Sequence, residues 1–460
     1  MSRFHTTARR LAASPLAACL WMMVTAPVHA GPASDELQIN QLTTGDQQSP
    51  DVAATPDGGF LVVWQSPVSP GDDVNLAVVG RRLDAAGAPA TDDFQVNTST
   101  SNSQRRPRVS SRGDGSFVVL WETFFQGGKG TLNALQARPF DSAGNGAAED
   151  FSVAVSPNIN TTINTHDVGA ASGSDFVVVY SRFYYYNGTY SGSVHKRRLE
   201  ADGTVIDSGI LATESGREIG VRAAGGDAIG FVVSTHSREY FGQYNDTRVL
   251  RLDPSGTTVG STIEVHGDQP FGFGGGTSAD AALSPSGDFV VAWDGYDTYE
   301  GTQSEIYGRR VDSGDLPDLA GPQVLNGDSA GFQRTPRLAR GADGSFLLVW
   351  ESPTTPGDDG LGLRGRWLAS DGSPSGDEFA VNVYTTGTQR SPEIAASADG
   401  RSFLVVWNST AGTGDVDGQS IRGRRFLLPA VFADGFESGD TAAWSSASRV
   451  HATLDVKSRG

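Results

Sequence analysis

The stretch "SPDVAATPDGGFLVVWQS" (Ser49–Ser66) alternates small apolar and polar residues, turns at Asp57-Gly58, and ends in a solid apolar run closed by Trp64. It returns as "TPRLARGADGSFLLVWES" (Thr335–Ser352) and as "SPEIAASADGRSFLVVWNS" (Ser391–Ser409). Aligned on its phenylalanine, the series is Phe60, Phe117, Phe176, Phe231, Phe289, Phe346 and Phe403, at intervals of 57, 59, 55, 58, 57 and 57 residues. So even a period marks an array of one supersecondary unit.

Each unit reads as four short strands between turn signals. The first is small ("DVAA", "EIAA") and the second is the "GFLVVW" run. The third is "VGRRLD" or "YGRRVD", and the fourth "FQVN" or "FAVN". No window has helical periodicity. Four strands per unit and seven units predict an all-β, seven-bladed β-propeller. The chain ends support closure. The seventh unit stops after its third strand, "RGRRF" (Arg422–Phe426), while an unmatched "LQIN" (Leu37–Asn40) precedes the first unit. The N-terminal strand therefore completes the last blade, which removes an open sheet edge.

The repeats D-G-x-F-x-V-x-W, G-x-R-x-D-x-x-G and F-x-V-N resemble those of secreted bacterial propeller proteins, over residues 37 to 426. That resemblance implies the fold and carries no catalytic residue. The tail "FADGFESGDTAAWS" (Phe432–Ser445), with its G-F-E-S-G-D-x-x-x-W pattern, looks like a C-terminal element common in exported proteins of some Gram-negative bacteria. The expected organisation is a signal peptide over 1–30, a propeller over 31–428 and a tail over 429–460, sorting-related or disordered.

The address follows from the N-terminus. A basic start, an apolar stretch and "VHA" ending at Ala30 fit a secretory signal. "LAAC" ending at Cys19 fits a lipoprotein box as the alternative, with a periplasmic or outer-membrane location. Cleavage after Ala30 removes Arg3, Arg9 and Arg10 and takes the formal charge from −18 to −18 − 3 = −21. It also removes the only cysteine, and with it disulfides and thiolate chemistry. Such acidity disfavours nucleic acid as a partner. No other apolar run approaches the ~18 residues of a membrane span. A monomer is expected.

Recurrent residues read as structure. Asp-Gly pairs at 57–58, 114–115, 343–344 and 399–400 fit tight hairpins with positive φ. Arg81, Arg138, Arg197, Arg309, Arg366 and Arg424 recur at one position, where stacking on a Trp64-type ring or pairing with a carboxylate inside the blade is expected. The "RGD" at Arg112–Asp114 fills one of the turns. Trp64 lies seven residues after Asp57, whereas the aspartate box of sialidases places it five after, so the repeats differ. No H-E-x-x-H or P-loop occurs.

Function is expected where the units differ, in the loops joining second and third strands. In units three to five these carry Tyr184, Tyr185, Tyr186, Tyr190, Tyr240, Phe241, Tyr244, Tyr296 and Tyr299, including eight of the eleven tyrosines. Phe271 and Phe273 lie in a neighbouring connection. One aromatic patch on one face suits sugar or protein contacts; equally, the rings could fold down to seal blades three and four, which lack the core tryptophan. In units six, seven and one the same loops are acidic, with Asp358, Asp359, Asp415, Asp417, Asp72 and Asp73, a weak candidate for Ca²⁺; no other cofactor is expected. The reading is a secreted or surface-exposed, non-catalytic binding module for protein or glycan ligands. The alternatives are an extracellular hydrolase or lyase at the central channel mouth, and a structural envelope protein. Convergent carboxylates and arginines on the axis would favour the enzyme, and a plugged axis with exposed rings the binder.

Overall fold

The computed structural model describes Pro32 and residues 34–67, 76–127, 130–170, 175–215, 217–225, 230–239, 245–266, 275–296, 304–318, 321–353, 360–410 and 418–428. All regular structure among them is strand, in seven antiparallel four-stranded sheets. Blade one runs outward through Gln48–Ala54, Phe60–Ser66, Ala77–Leu83 and Phe94–Gln95. The first strands of successive blades touch, and that of blade seven (Gln389–Ala396) touches that of blade one, so the ring is closed. The first strands line the axis as expected.

The start of each second strand, from its phenylalanine onward, is buried on both faces and uses the period of two to serve two neighbours. In blade one, Phe60, Val62 and Trp64 pack with Leu404 and Val406 of blade seven. Leu61 and Val63 pack with Phe117 and Val119 of blade two. Trp64, Trp350 and Trp407 donate Nε1–H to Gln47, Gln333 and Gln389 at 3.0 Å, so these buried indoles keep a partner.

The N-terminal strand (Leu37–Gln38) completes blade seven, pairing with Gly423 and Arg422. Ile39, 1% exposed, then packs between Ile421 of blade seven and Val52 of blade one.

Two structural expectations need correction. Five of the six recurring arginines are staples between blades rather than partners of Trp64-type rings, while Arg81 also has the expected carboxylate in its own blade, Asp93 at 3.7 Å. Arg138 donates Nη1–H to Val96 O of blade one (2.7 Å), and Arg81, Arg309, Arg366 and Arg424 reach back in the same way to Ile39, Val265, Leu325 and Val381 (2.7–3.0 Å). A backbone carbonyl has no sequence signature, so local reading favoured side-chain partners. In the Asp-Gly turns only the glycine is left-handed (Gly58 φ 85°, Gly115 φ 89°). The aspartate instead accepts the N–H two residues on, as Asp114 does from Ser116 at 2.9 Å. The "RGD" is spent in such a turn, with Arg112 Nη2 2.6 Å from Asp114 Oδ2.

Candidate functional site

The site begins with a pattern of four residues. In blades one, two, six and seven the first strand opens Gln-x-x-Pro (Gln47, Gln104, Gln333, Gln389), and a charged residue follows the proline. The residue before each proline is left-handed: Ser49, Arg106, Thr335 and Ser391 have φ between 50° and 55°. A non-glycine residue holds that conformation only when its surroundings compensate. Here the preceding blade does so, since Gln65 accepts the Arg106 N–H (3.1 Å), Glu351 that of Ser391 (2.6 Å) and Asn408 that of Ser49 (3.1 Å). The register shift this produces delivers the next side chain to the axis.

One charged residue per blade reaches the axis: Asp51, Arg108, Asp167, Arg222, Asp280, Arg337 and Glu393. Signs alternate round the ring, but seven is odd, so two acids, Glu393 and Asp51, come from adjacent blades. The sum is −4 + 3 = −1. Asp51, Asp167 and Asp280 also accept backbone N–H groups from Val109, Ala223 and Leu338 of the next blade (2.7, 3.0 and 2.9 Å). Glu393 is longer and reaches the centre. It pairs with Arg222 and with Arg337 (Nε 2.8 Å), and Arg108 Nη2 lies 3.5 Å away. The axis thus carries convergent carboxylates and arginines, which meet across it.

This arrangement separates the two neighbouring acids. Burial pushes the Asp51 carboxyl up to about 7; Arg108 opposes the rise and Glu393 adds to it. Burial also works against ionised Glu393, but Arg222, Arg337 and Arg108 outweigh it and hold that carboxyl at about 2. The consequence for stability is opposite at the two sites. Glu393 contributes stability above its ordinary value, lost as pH falls toward 2. The folded state keeps the Asp51 proton up to about pH 7 while the unfolded chain releases it near 3.8, so this contribution falls as pH rises between those values. Asp51→Asn, which keeps an acceptor for Val109, is therefore expected to flatten the stability profile between pH 4 and 7 and to stabilise the protein at pH 8 by at most about 4 kcal/mol. Urea unfolding across that range checks it; parallel profiles for the two proteins would refute it.

The ring divides two cavities. One, of about 310 Å³, is lined by Asp51, Asp167, Asp280, Glu393, Arg222, Arg337 and Arg340. The other, of about 520 Å³, is lined by Arg106, Arg108, Arg222, Arg337, Glu122, His166, His236, Val221 and smaller polar residues. It opens toward the hairpin face. The first strand of blade three runs from Thr161 to Ala170, Ala170 pairs with Phe176, and Thr161 pairs with Tyr184 near the hairpin tip. Glu122 sits fully buried in that wall, its Oε1 3.2 Å from His166 Nδ1 and 3.6 Å from Arg106 Nη1. His166 Nε2 donates to Arg106 O at 2.8 Å.

Of the aromatic residues expected to form a patch, those of blade three are described. Its second and third strands (Phe176–Tyr186, Thr189–Leu199) form a long hairpin. Tyr185 stacks on Tyr190 across it (4.6 Å, 25°). Tyr184 and Tyr190 are half-buried, whereas Tyr185 is 48% and Tyr186 51% exposed. Sealing of the weak blade falls instead to Tyr180, 2% exposed and stacked on His195 at 5.1 Å. Residue 296 ends the second strand of blade five, opposite Ser304 at the hairpin end. The side chain of Tyr296, and Tyr240, Phe241, Tyr244, Phe271, Phe273 and Tyr299, lie outside the described residues, as do Asp72, Asp73, Asp358, Asp359, Asp415 and Asp417.

One acid–histidine trio that sequence reading missed, Asp246, Glu264 and His266, places three ligand atoms within 4.8 Å of one another. Arg248 Nη2 already lies 3.1 Å from Asp246 and supplies a cation there. The axial ring was missed too. Its signal was present in the charge after Gln-x-x-Pro, together with a polar residue after the tryptophan (Gln65, Glu122, Asp294, Glu351, Asn408) in an otherwise apolar strand.

No protein-family model matches the chain, and no curated protein matches it. Among solved structures, one similar chain is a protein of unknown function from Dyadobacter fermentans DSM 18053. It is 12% identical, with 87% of this chain and 100% of that one covered, at a TM-score of 0.49. Another is an α-L-arabinanase from Penicillium chrysogenum complexed with arabinobiose (12%, 69% and 92%, 0.44). A third is the leech intramolecular trans-sialidase (9%, 87% and 70%, 0.43). These are distant likenesses in the course of the backbone and say nothing of chemistry. The chain is a seven-bladed β-propeller with a charged ring on its axis.

Proposed function

We propose that the protein is a secreted or surface-exposed binding module that captures a protein or glycan on its hairpin face without catalysis. The exposed Tyr185 and Tyr186 carry this reading: large rings held out by a cross-strand stack add little to blade packing and give a contact area of low entropic cost. The signal-like N-terminus supports the location. Glycan-array and pull-down screening finds the ligand. Tyr185→Ala and Tyr186→Ala should then each weaken capture by about 1 kcal/mol or more, with the melt nearly unchanged. A lowered melt with binding lost only in proportion to unfolding would make them packing residues.

The convergence of carboxylates and arginines on the axis, the arrangement expected of an enzyme, and the separation of Asp51 from Glu393 favour a second reading, a hydrolase or lyase at the axis, since a neutral and an ionised carboxyl can serve as acid and base. Against it, Glu393 is committed to three arginines. Turnover of a glycan ligand that Asp51→Asn abolishes would establish the enzyme.

A further inference from the structure

We propose that the 520 Å³ chamber on the hairpin face is a pocket for the anionic group, carboxylate or sulfate, of an acidic glycan. This deepens the binding-module reading and rests on it. The volume is that of a small-molecule site, roughly 300–1,000 Å³.

Its charge is the exception in this acidic chain. Arg106, Arg108, Arg222 and Arg337 line it against one acid, Glu122, so the wall sums to +4 − 1 = +3, and to +2 with Glu393 just beneath. The cavity across the ring, which shares Arg222 and Arg337 with it, has four acids and three arginines, −4 + 3 = −1. The polarity has a geometric origin. The three ring aspartates are short and are bound to backbone N–H groups, while Arg108 lines only the hairpin-side chamber. The positive field registers at His236, where burial and then Arg337 and Arg222 push the imidazole down to about 4.

Most of these arginines have buried partners, but Arg106 does not give up its reach. Its backbone is fixed by Gln65, and Nη1 is positioned by Asn164 O (3.3 Å) and Glu122 (3.6 Å). The side chain nevertheless remains 57% exposed. Arg105 and Arg390 are exposed beside the same ends of the first strands. A guanidinium so placed matches a planar or tetrahedral oxyanion. An ammonium ligand would meet like charge, and a neutral one would gain nothing from it. The sugar rings attached to the anion are suited to the exposed faces of Tyr185 and Tyr186.

The test is calorimetric titration of the full protein with three probes: oligogalacturonates, heparin-derived sulfated oligosaccharides and neutral cello-oligosaccharides. Binding is expected for one anionic set and not for the neutral one, weakening with salt. Arg106→Gln should lower that affinity roughly tenfold or more, and Arg106→Lys should restore part of it, with melts like the parent's. Which anionic set binds distinguishes carboxylate from sulfate. Equal binding of neutral and anionic probes, or no effect of Arg106→Gln, overturns the chamber while leaving the face intact if the tyrosine variants still lose binding. Binding that needs Arg106 but neither tyrosine overturns the hairpin reading instead. No binding of any probe overturns the glycan assignment, and a tyrosine-dependent protein ligand would then still support the face.

Discussion

A chain lacking residues 31–42 will melt well below the full protein and will self-associate. The deletion removes the fourth strand of blade seven, with its pairing to Gly423 and Arg422. It also removes Ile39, buried between the first and last blades, and the carbonyl that receives Arg81. Ile39→Ala alone is expected to cost about 2–4 kcal/mol, as for a buried large-to-small change. The deletion should cost more, because Glu36, which accepts the N–H groups of Val383 and Tyr384, goes with it. The third strand of blade seven (Ser420–Leu427) then presents an unpaired edge, a template for pairing with another copy. Differential scanning calorimetry and sedimentation velocity read the two effects. A deletion protein that melts like its parent and stays monomeric would mean that closure contributes nothing.

Glu393→Gln is the second large effect and should act without exposing any edge. Glutamine keeps the shape and one carbonyl acceptor but removes the charge that neutralises Arg108, Arg222 and Arg337. Removing one partner of a buried ion network leaves uncompensated charge and costs about 3–5 kcal/mol. The sign is opposite to that expected for Asp51→Asn above pH 7, although both substitutions delete one carboxylate from the same ring. That contrast separates the ring's geometry from a general effect of lowering negative charge. Urea midpoints at pH 8 for both variants decide it, and a loss below ~0.5 kcal/mol for Glu393→Gln would show that the arginines find other partners. Glu393→Gln should also relieve Asp51, since the neighbouring charge is one cause of its raised carboxyl.

Much of the fold was legible because blade architecture is written locally. The Phe60-type run is apolar at every position because a second strand is buried on both sides. The displaced "LQIN" made closure readable from the chain alone, since a closed ring needs a strand missing at one end and spare at the other, and a linear array does not. Reading failed where a partner was backbone or lay in another blade. Arg138 looked like half of a side-chain pair, yet it serves Val96 O, some forty residues away. Tyr185 was legible as a loop aromatic, but whether it sealed the blade or faced solvent depended on Tyr180 and His195 stacking beneath it.

The sequence by itself determined the repeat, the strand order within each blade, the number of blades and the strand that closes them, because these follow from periodicity and turn chemistry along the chain. The tertiary structure alone decided the axis. Asp51 and Glu393 are 342 positions apart in the chain, and each taken singly is an ordinary charge after a proline. Only ring closure brings their blades together, makes the alternation of sign run out at an odd count, and buries both carboxyls. Their energies are set by distance and burial, which no single repeat encodes.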